Sequence, residues 1–281
     1  MTKQQIFYSV FIILLIIGSF YGYTRYNAFY PSTDDAYVQA NTVNIAAQVT
    51  GPVNAIFVQD HALVKKGQLL FSIDPRPFEI ALKKAQAVLT QTQAEKNTQQ
   101  KDTARTLQLV STGQLPKADG DDAQGKLDML NASLKIAQSE LAQAELNLEN
   151  TKILSSSSGY LTNFTLRQGE MVQATSPLFV LVETDHWWIN ANMKETDIER
   201  IHIGQTAKIL LDMYPGISFK GKVQGISAGS GAAFAILPPE NATGNWVKVT
   251  QRFPVRINII NPDPKYPLRI GASGEVVVDT R

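Results

Sequence analysis

Few side chains in this sequence stand at the spacings that catalysis or metal binding requires. Three histidines, His61, His186 and His202, are far apart, and none has a carboxylate or a second histidine at the spacing of metal ligands. The glycine-rich segment GISAGSGAA lacks the Gly-Lys-Ser/Thr of a phosphate-binding loop, and neither GxSxG nor HExxH occurs. Trp187 and Trp188 begin a predicted strand, where core packing outweighs ligand stacking. We therefore expect no enzyme active site and no metal.

Two adjacent lysines are the remaining candidates for covalent chemistry. Lys65 and Lys66 lie within VTGPVNAIFVQDHALVKKGQLLFSID, residues 49–74, whose short apolar runs predict a half-barrel like that of a biotin- or lipoyl-carrying domain. A carrier lysine belongs at the junction between two such halves, whereas the junction here is Asp74-Pro75 followed by a helical pattern. A carrier subunit of a biotin or lipoyl enzyme is therefore disfavoured, and we expect no cofactor.

The second half-barrel is found 108 residues further along the chain. Residues 157–182, SSGYLTNFTLRQGEMVQATSPLFVLV, align with residues 49–74 without a gap, and Gly51 corresponds to Gly159. Few residue pairs are identical, but the apolar positions stay in phase throughout. This pattern is typical of an internal duplication, so the chain between the two halves is an insertion into one β-domain.

The inserted segment predicts two antiparallel helices. From Pro77 the helical pattern runs without a further Gly or Pro to about residue 112, is interrupted by GQLPKADGDD, and resumes from about Asp122 to Asn150. At 1.5 Å per residue, ~35 residues give a hairpin ~50 Å long. Its exposed flanks either pack against identical neighbours or are solvated. The predicted coiled-coil seam of the second helix, with 3-4 spacing, consists of Leu127, Leu130, Leu134, Ala137, Leu141, Ala144 and Leu148. The first helix matches it through Leu82, Ala85, Leu89, Leu107 and Val110, with polar Gln93, Lys96, Gln100 and Thr103 between.

The composition and the first thirty residues indicate an exported chain with a membrane anchor. The net charge is +1 without a basic run, which argues against nucleic-acid binding, and the absence of cysteine excludes disulfides and a lipidated cysteine. Residues 6–23 are apolar, uncharged and long enough to span a bilayer, and no signal-peptidase-like site follows them. The positive-inside tendency places the N-terminus in the cytoplasm, because Lys3 and the free amino terminus precede the span, whereas Arg25 and then Asp34 and Asp35 follow it.

The predicted fold is mixed α+β, mainly β and modular. Five to six short strands after Asp185 suggest a small antiparallel β-barrel, to which the segment from Ala36 to Asn41 could return. WVKVTQ and FPVRINII are two of these predicted strands. The predicted segments are a cytoplasmic stub and transmembrane anchor (1–30, helix about 6–23), a barrel-return strand and first lipoyl-like half (31–75), an antiparallel coiled-coil hairpin (76–150, tip about 113–121), the second lipoyl-like half (151–184) and the C-terminal barrel (185–281).

The chain resembles the HlyD-type membrane fusion, or periplasmic adaptor, proteins, and among them the EmrA-like and aromatic-acid efflux branch. The resemblance covers nearly the whole chain and is carried by STDDAYVQANTVNIAAQVTGPV, AELNLENTKI, NANMKETDIERIHIGQ and PPENATGNWVKVTQRFPVRI. It implies a non-enzymatic adaptor in the bacterial inner membrane, single-pass, with its main body in the periplasm. Such an adaptor joins a proton-driven inner-membrane transporter to a TolC-like outer-membrane channel and exports drugs or aromatic acids.

The family also implies self-association into a trimeric or hexameric ring, in which the lipoyl halves serve as an assembly module. The missing carrier lysine agrees with that role. Two alternatives stay open besides the carrier subunit. One is a secretion adaptor for an ABC exporter, although those usually have much longer hairpins. The other is an anchored structural coiled-coil protein without a transport role.

The resemblance implies a docking site at the tip of the hairpin. The family often has an Arg there, a Leu four residues on, and a Ser or Thr seven further. Arg105 and Leu109 match, but Pro116 occupies the third position. We expect the channel to be contacted through Arg105, Leu109, Leu115 and Lys117.

The resemblance also points to a loop in the second lipoyl half. In some members a polar side chain of this half forms a gate ring, and RQGE places Gln168 or Glu170 near that position. A ring of carboxylates would repel anionic cargo. The alternative is an ordinary solvated turn.

Overall fold

The computed structural model of the chain describes residues 14–18, 29–234 and 248–281, which divide into two compact units. The first unit combines the residues up to 41 with residues 183–281, and the second comprises residues 42–182. Residues 14–18 are helical, and the rest of the predicted anchor lies outside the described residues. Within the described ranges, no helix is both long and apolar enough to cross a membrane.

Between residues 32 and 278, the described part of the chain contains twelve strands and three α-helices. The strands are β1 Ser32–Ala46, β2 Gly51–Ile56, β3 Leu63–Val64, β4 Leu69–Ile73, β5 Lys152–Leu154, β6 Gly159–Thr162, β7 Met171–Val172, β8 Pro177–Lys194, β9 Thr206–Leu211, β10 Ser218–Ile226, β11 Arg252–Ile259 and β12 Ser273–Val278. The helices are α1 Arg76–Ser111, α2 Lys117–Glu149 and α3 Glu195–Ile198, with a 3₁₀ turn at Gly231–Phe234.

The first unit is an antiparallel β-barrel. Its strands follow the order β1-β12-β9-β10-β11-β8, and a β1–β8 pairing closes the ring. Burial alternates along β11, where Val255, Ile257 and Ile259 face the core, because successive side chains of a strand point to opposite faces. The barrel-return strand is β1, which pairs with β12 from Ser32 to Tyr37.

A polar network joins three strands where the barrel closes. Arg252 donates from Nη1 to Thr33 Oγ1 at 2.9 Å and to the Asn192 carbonyl at 3.0 Å. Asn192 in turn donates from Nδ2 to Asp35 Oδ1 at 3.0 Å. Because the side chains come from β1, β8 and β11, their hydrogen bonds fix the register at which the ring is completed.

The two half-barrels of the second unit are related by the 108-residue offset, as the duplication predicts. Gly51 of the first half pairs with Val172 of the second, and Val64 of the first half pairs with Gly159 of the second. These are equivalent pairings, because Gly159 corresponds to Gly51 and Val172 corresponds to Val64 at the 108-residue offset. The turns repeat as well. The amide of Gly67 donates to the Ser155 carbonyl at 2.8 Å, and that of Thr175 donates to the Ala47 carbonyl at 2.8 Å. The prediction of two half-barrels related by duplication is therefore confirmed.

The halves share one hydrophobic core, so neither half-barrel is a folding unit by itself. Phe71 of β4 meets Phe179 of β8 edge to face at 6.1 Å, and Phe179 also packs against Phe164 at 4.7 Å. Leu70, Phe71, Ile73, Leu161 and Leu181 are almost fully buried in the same cluster. Burial of about 25 cal/mol per Å² of apolar surface makes this shared core the main stabilising feature of the unit.

The hairpin is present as predicted, but α2 begins five residues earlier than the sequence pattern suggested. The loop comprises residues 112–116, so residues 117–121 of the predicted tip form the first turn of α2. Gly120 does not break the helix, because it is buried where the two helices approach closely. A methyl group on Gly120 would lie 3.3 Å from Leu107 and 3.4 Å from Val110. A residue that looked like a helix breaker therefore serves helix packing.

Four further expectations need correction. The sequence pattern predicts two strands at residues 36–39 and 43–49, whereas residues 32–46 form the single strand β1. WWINAN, the strand predicted from Trp187, is part of β8, which runs unbroken through 18 residues. WVKVTQ was predicted as a strand, but residues 248–251 are not in one, and residues 246–247 lie outside the described residues.

On α1, two of the predicted seam positions, Gln100 and Leu107, are exposed. The residues that precede them, Gln99 and Thr106, are half-buried instead.

Candidate functional site

The junction between the two half-barrels, where a carrier domain has its lysine, is the start of α1. Arg76 holds Asp74 through its side chain, with Nη2 to Oδ2 at 2.6 Å and Nε to Oδ1 at 3.0 Å. The side-chain hydrogen bonds from Arg76 lower the pKa of Asp74, so the carboxylate stays charged to lower pH than usual. Any stability it contributes is therefore present at neutral pH and is lost as the pH falls through this lowered value.

The two lysines of the sequence analysis lie elsewhere, in the turn before β4. The amide of Lys65 donates to Gln68 Oε1 at 3.0 Å, and the amide of Lys66 donates to Ser158 Oγ at 3.1 Å. These bonds involve the backbone and leave both side chains exposed. Among the described residues, no group of three or more His, Asp or Glu side chains is arranged to hold a metal ion.

The tip of the hairpin is closed by backbone hydrogen bonds. Gly113 has a φ of 75°, its amide donates to the Val110 carbonyl at 3.0 Å, and the amide of Gln114 donates to the Leu109 carbonyl at 2.9 Å. This is a Schellman motif, which ends a helix by satisfying its last carbonyls. Pro116 then precedes the first residue of α2, where its fixed φ of −62° is already suitable. The hydroxyl of Thr112 adds hydrogen bonds from Oγ1 to the carbonyls of Leu109 at 3.0 Å and Gln108 at 3.3 Å.

The tip residues named from the sequence fall in two groups. Arg105 and Leu109 lie one turn apart on α1, with the Arg105 side chain 74% exposed and Leu109 40% exposed. Arg105 pairs with Asp102 at 3.1 Å on the same helix, an exposed ion pair of the kind worth at most about 1 kcal/mol. Leu115 is half-buried in the loop, and Lys117 is exposed at the start of α2.

The predicted seam of α2 lies on the side of the helix that is least exposed. Leu134 is buried, and Leu127, Leu130, Leu141 and Leu148 are half-buried. The opposite side leaves large apolar side chains exposed at Met129, Ile136 and Leu146. A helix of a two-stranded hairpin can bury only one stripe, so the second apolar stripe has no cover within the described part of the chain.

Sequence reasoning missed a hydrogen bond that joins the two helices. Thr103, only 2% exposed, donates from Oγ1 to the Ala123 carbonyl of α2 at 3.0 Å and accepts from Gln99 Nε2 at 3.3 Å. The signal was available, because Thr103 was recognised as a polar residue within an apolar seam. A single polar seam residue can fix the register of a coiled coil, and this one lies near the tip.

Replacing Thr103 by Val keeps the shape of the side chain and removes this bond. We expect a loss of about 1 kcal/mol in the free energy of unfolding of the hairpin, measured by urea unfolding followed through helical circular dichroism. Thr98→Val is the matched control, because Thr98 bonds only to the Ala94 carbonyl of its own helix. Equal losses in the two variants would show that the bond across the hairpin has no special weight.

The gate-loop residues take part in the turn between β6 and β7. Gln168 donates from Nε2 to the Asn54 carbonyl at 2.8 Å, and Glu170 accepts from the Arg167 amide at 2.9 Å. Both side chains remain exposed. Gly169, between them, has a φ of 84°. The two polar side chains therefore help to shape the loop.

Comparisons with known proteins match most of the chain. Residues 41–184 match the RND MFP barrel-sandwich hybrid domain, and residues 186–279 match the AAEA-like β-barrel domain. The chain is 32% identical over 299 residues to the multidrug export protein EmrA of Escherichia coli (strain K12), covering 89% of this chain and 77% of that protein. It is 31% identical over 330 residues to the colistin resistance protein EmrA of Acinetobacter baumannii, covering 98% and 93% respectively.

Solved structures share the fold at lower sequence identity. MacA from Actinobacillus actinomycetemcomitans is 23% identical with a TM-score of 0.70, covering 88% of this chain and 78% of that one. The periplasmic adaptor protein EmrA is 19% identical with a TM-score of 0.51, covering 90% and 99%. The resemblance stated from the sequence is confirmed: the chain belongs to the membrane fusion protein family, with an RND-type barrel-sandwich hybrid domain followed by an AAEA-like β-barrel.

Proposed function

We propose that this protein is the periplasmic adaptor of a tripartite efflux pump that exports small molecules. It would link an inner-membrane transporter, driven by protons, to a TolC-like outer-membrane channel. The observation that carries the proposal is the junction at Asp74, where intact half-barrels receive a long helical hairpin in place of a carrier lysine. Relatives named for multidrug export and colistin resistance support the same assignment.

The role of such an adaptor is mechanical rather than chemical. The apolar segment of residues 6–23 would anchor the chain in the inner membrane with a cytoplasmic N-terminus, and the body from residue 31 would lie in the periplasm. The barrel would contact the transporter, and the hairpin would extend the conduit towards the channel. Cargo would then cross the periplasm without being released into it.

Self-association would cover the second apolar stripe of the hairpin. Met129 and Ile136 are exposed on α2 seven residues apart and therefore lie on one face of the helix, and Leu146 is exposed about 80° around the helix from Ile136. Packing of hairpins side by side in a trimeric or hexameric ring would remove this surface from water. The stripe therefore favours an assembled adaptor over an isolated, fully solvated hairpin.

Docking to the channel would use the exposed tip. Arg105 and Leu109 project a charge and an apolar group from the last two turns of α1, and Leu115 and Lys117 flank the loop. Pro116 supplies no hydroxyl at the third family position, and it is used to begin α2. Docking in this protein would therefore depend more strongly on Arg105 than in members that keep the hydroxyl.

We expect Arg105→Asp to lower efflux without unfolding the protein. Reversing a charge at an interface costs several kcal/mol, so docking should weaken by roughly 30-fold or more. The measurement is drug susceptibility of cells that depend on this pump, with crosslinking of the hairpin tip to the channel. Lys83→Asp, the same charge reversal at an exposed position near the start of α1, is the control. Wild-type susceptibility and crosslinking for Arg105→Asp would refute the assignment of the tip.

A secretion adaptor for an ABC exporter is the second candidate, and the hairpin length argues against it. The helices contain 36 and 33 residues, whereas secretion adaptors usually have much longer ones.

The cargo would be selected mainly by the transporter. A ring of Glu170 side chains near the conduit would add a bias against anionic cargo, because like charges repel.

A further inference from the structure

The barrel unit contains a recess formed by outward-facing side chains of β8, β10 and β11. Its volume is about 590 Å³, and its lining includes Asp185, Trp188, Gln224, Arg256 and Asn258. Ligand pockets of proteins typically measure about 300–1,000 Å³. Trp188 stands opposite Asn258 in the β8–β11 register, and Arg256 is two residues before Asn258 on the same face. The strands thus bring an indole, a guanidinium and a side-chain amide together.

Arg256 is held by the indole rather than by an acid. Its Cζ lies 3.8 Å from the centroid of the Trp188 ring, a distance at which a guanidinium stacks on an aromatic face. Five other arginines each pair with an aspartate, namely Arg76, Arg105, Arg200, Arg252 and Arg281. Within the described part of the chain, no carboxylate lies within ion-pair distance of Arg256. Stacking fixes the plane of the guanidinium and leaves its edge N–H groups free to donate.

The remaining lining residues restrict the chemistry of a ligand. Asn258 and Gln224 add amide donors beside Arg256, and Ile260 and Pro262 supply an apolar wall. Asp185 places one carboxylate in the same recess, which disfavours a ligand with two negative charges. A planar guanidinium whose edge is free is the usual partner of a carboxylate, through two parallel hydrogen bonds.

We propose that this recess binds a single carboxylate group attached to an apolar body, with Arg256 as its anion-binding residue and Trp188 as the support that orients Arg256. The carboxylate can belong to a free small molecule or to an acidic side chain of a partner protein. The assignment goes beyond the adaptor role, because it gives the barrel a ligand site that needs neither transporter nor channel. Binding can therefore be measured on the isolated full-length chain.

The test uses 4-phenylbutyrate as the probe and its neutral amide, 4-phenylbutyramide, as the matched ligand, with titration calorimetry on the full-length protein in detergent. We expect the acid to bind at least about tenfold more tightly than the amide, because only the acid forms charge-assisted hydrogen bonds. Arg256→Gln should reduce the affinity for the acid by about tenfold or more, and Arg256→Lys should restore it only in part.

A second probe, acetyl-Phe-Asp-amide, presents the carboxylate of a protein side chain. Preference for one acidic probe over the other assigns the source of the group.

Lys208→Gln is the control, because Lys208 is an exposed basic residue on β9 of the same barrel and does not line the recess. It should leave binding unchanged. The proposal is overturned if neither acidic probe binds, if the acid and the amide bind equally, or if Arg256→Gln and Lys208→Gln lose affinity to the same extent. Unchanged melting temperatures of the variants establish that a loss of binding is local.

Discussion

Replacing Ala137 by Asp is expected to separate the two helices of the hairpin and to abolish export. Ala137 lies on the seam of α2 and is 2% exposed, so an aspartate there would carry its charge into the contact with α1. A buried charge without a partner costs several kcal/mol, and the larger side chain would also force the helices apart. We expect the free energy of unfolding of the hairpin to fall by about 3 kcal/mol or more.

Ala142→Asp is the matched control for this prediction. The substitution is chemically identical and lies five residues away on the same helix, at an exposed position. The lower helix propensity of Asp therefore affects both variants, at about 0.6 kcal/mol each, and only the burial differs. Urea unfolding followed by helical circular dichroism gives the stabilities, and drug susceptibility gives the export activity. Similar stabilities of the two variants would show that Ala137 does not lie in a packed helix contact.

The duplication was predictable from the sequence because half-barrel strands repeat their apolar positions in phase. The offset of 108 residues between Gly51 and Gly159 was sufficient to relate the two halves, and the strand pairs obey the same offset. The offset also relates the unusual backbone conformations. His61 and Gly169 both have positive φ, of 62° and 84°. These two residues look unrelated in sequence, because the backbone of the turn was retained while the side chain changed.

The sequence was less informative where one residue type has two structural uses. Gly120 and Pro116 suggest a long loop by composition, although one allows close helix packing and the other begins α2. The continuous strands β1 and β8 were predicted in pieces, since periodicity of two is weak evidence for length. Contacts between distant segments left no local signal at all. The stacking of Arg256 on Trp188 depends on the register of β8 and β11, which only the assembled sheet fixes.

Gly274→Ala is expected to destabilise the β-barrel strongly. Gly274 is buried in β12, between Ala36 of β1 and Leu211 of β9. A methyl group on Gly274 would overlap the carbonyl oxygen of Leu210 and would lie 3.0 Å from Leu211 Cδ2. The obstructing atom belongs to the backbone of a paired strand, so it cannot turn away as the end of a flexible side chain would. We expect a loss of about 2–4 kcal/mol in the free energy of unfolding of the barrel.

The control for Gly274 is a glycine of the same barrel that has open space around it. Gly225 lies in β10 beside an irregularity of the β10–β11 register, and a methyl group there would meet no atom within 4 Å. Gly225→Ala should change the stability by less than about 0.5 kcal/mol, or raise it slightly, because alanine restricts the unfolded chain. Tryptophan fluorescence during urea unfolding reports on the barrel through Trp187 and Trp188. If Gly274→Ala proves as stable as Gly225→Ala, the strands around β12 are not packed closely enough for a methyl group on Gly274 to overlap the Leu210 carbonyl oxygen. If instead only Gly274→Ala unfolds early while the helical signal of the hairpin persists, the barrel and the hairpin unfold as separate units, and loss of export in that variant would trace to the barrel alone.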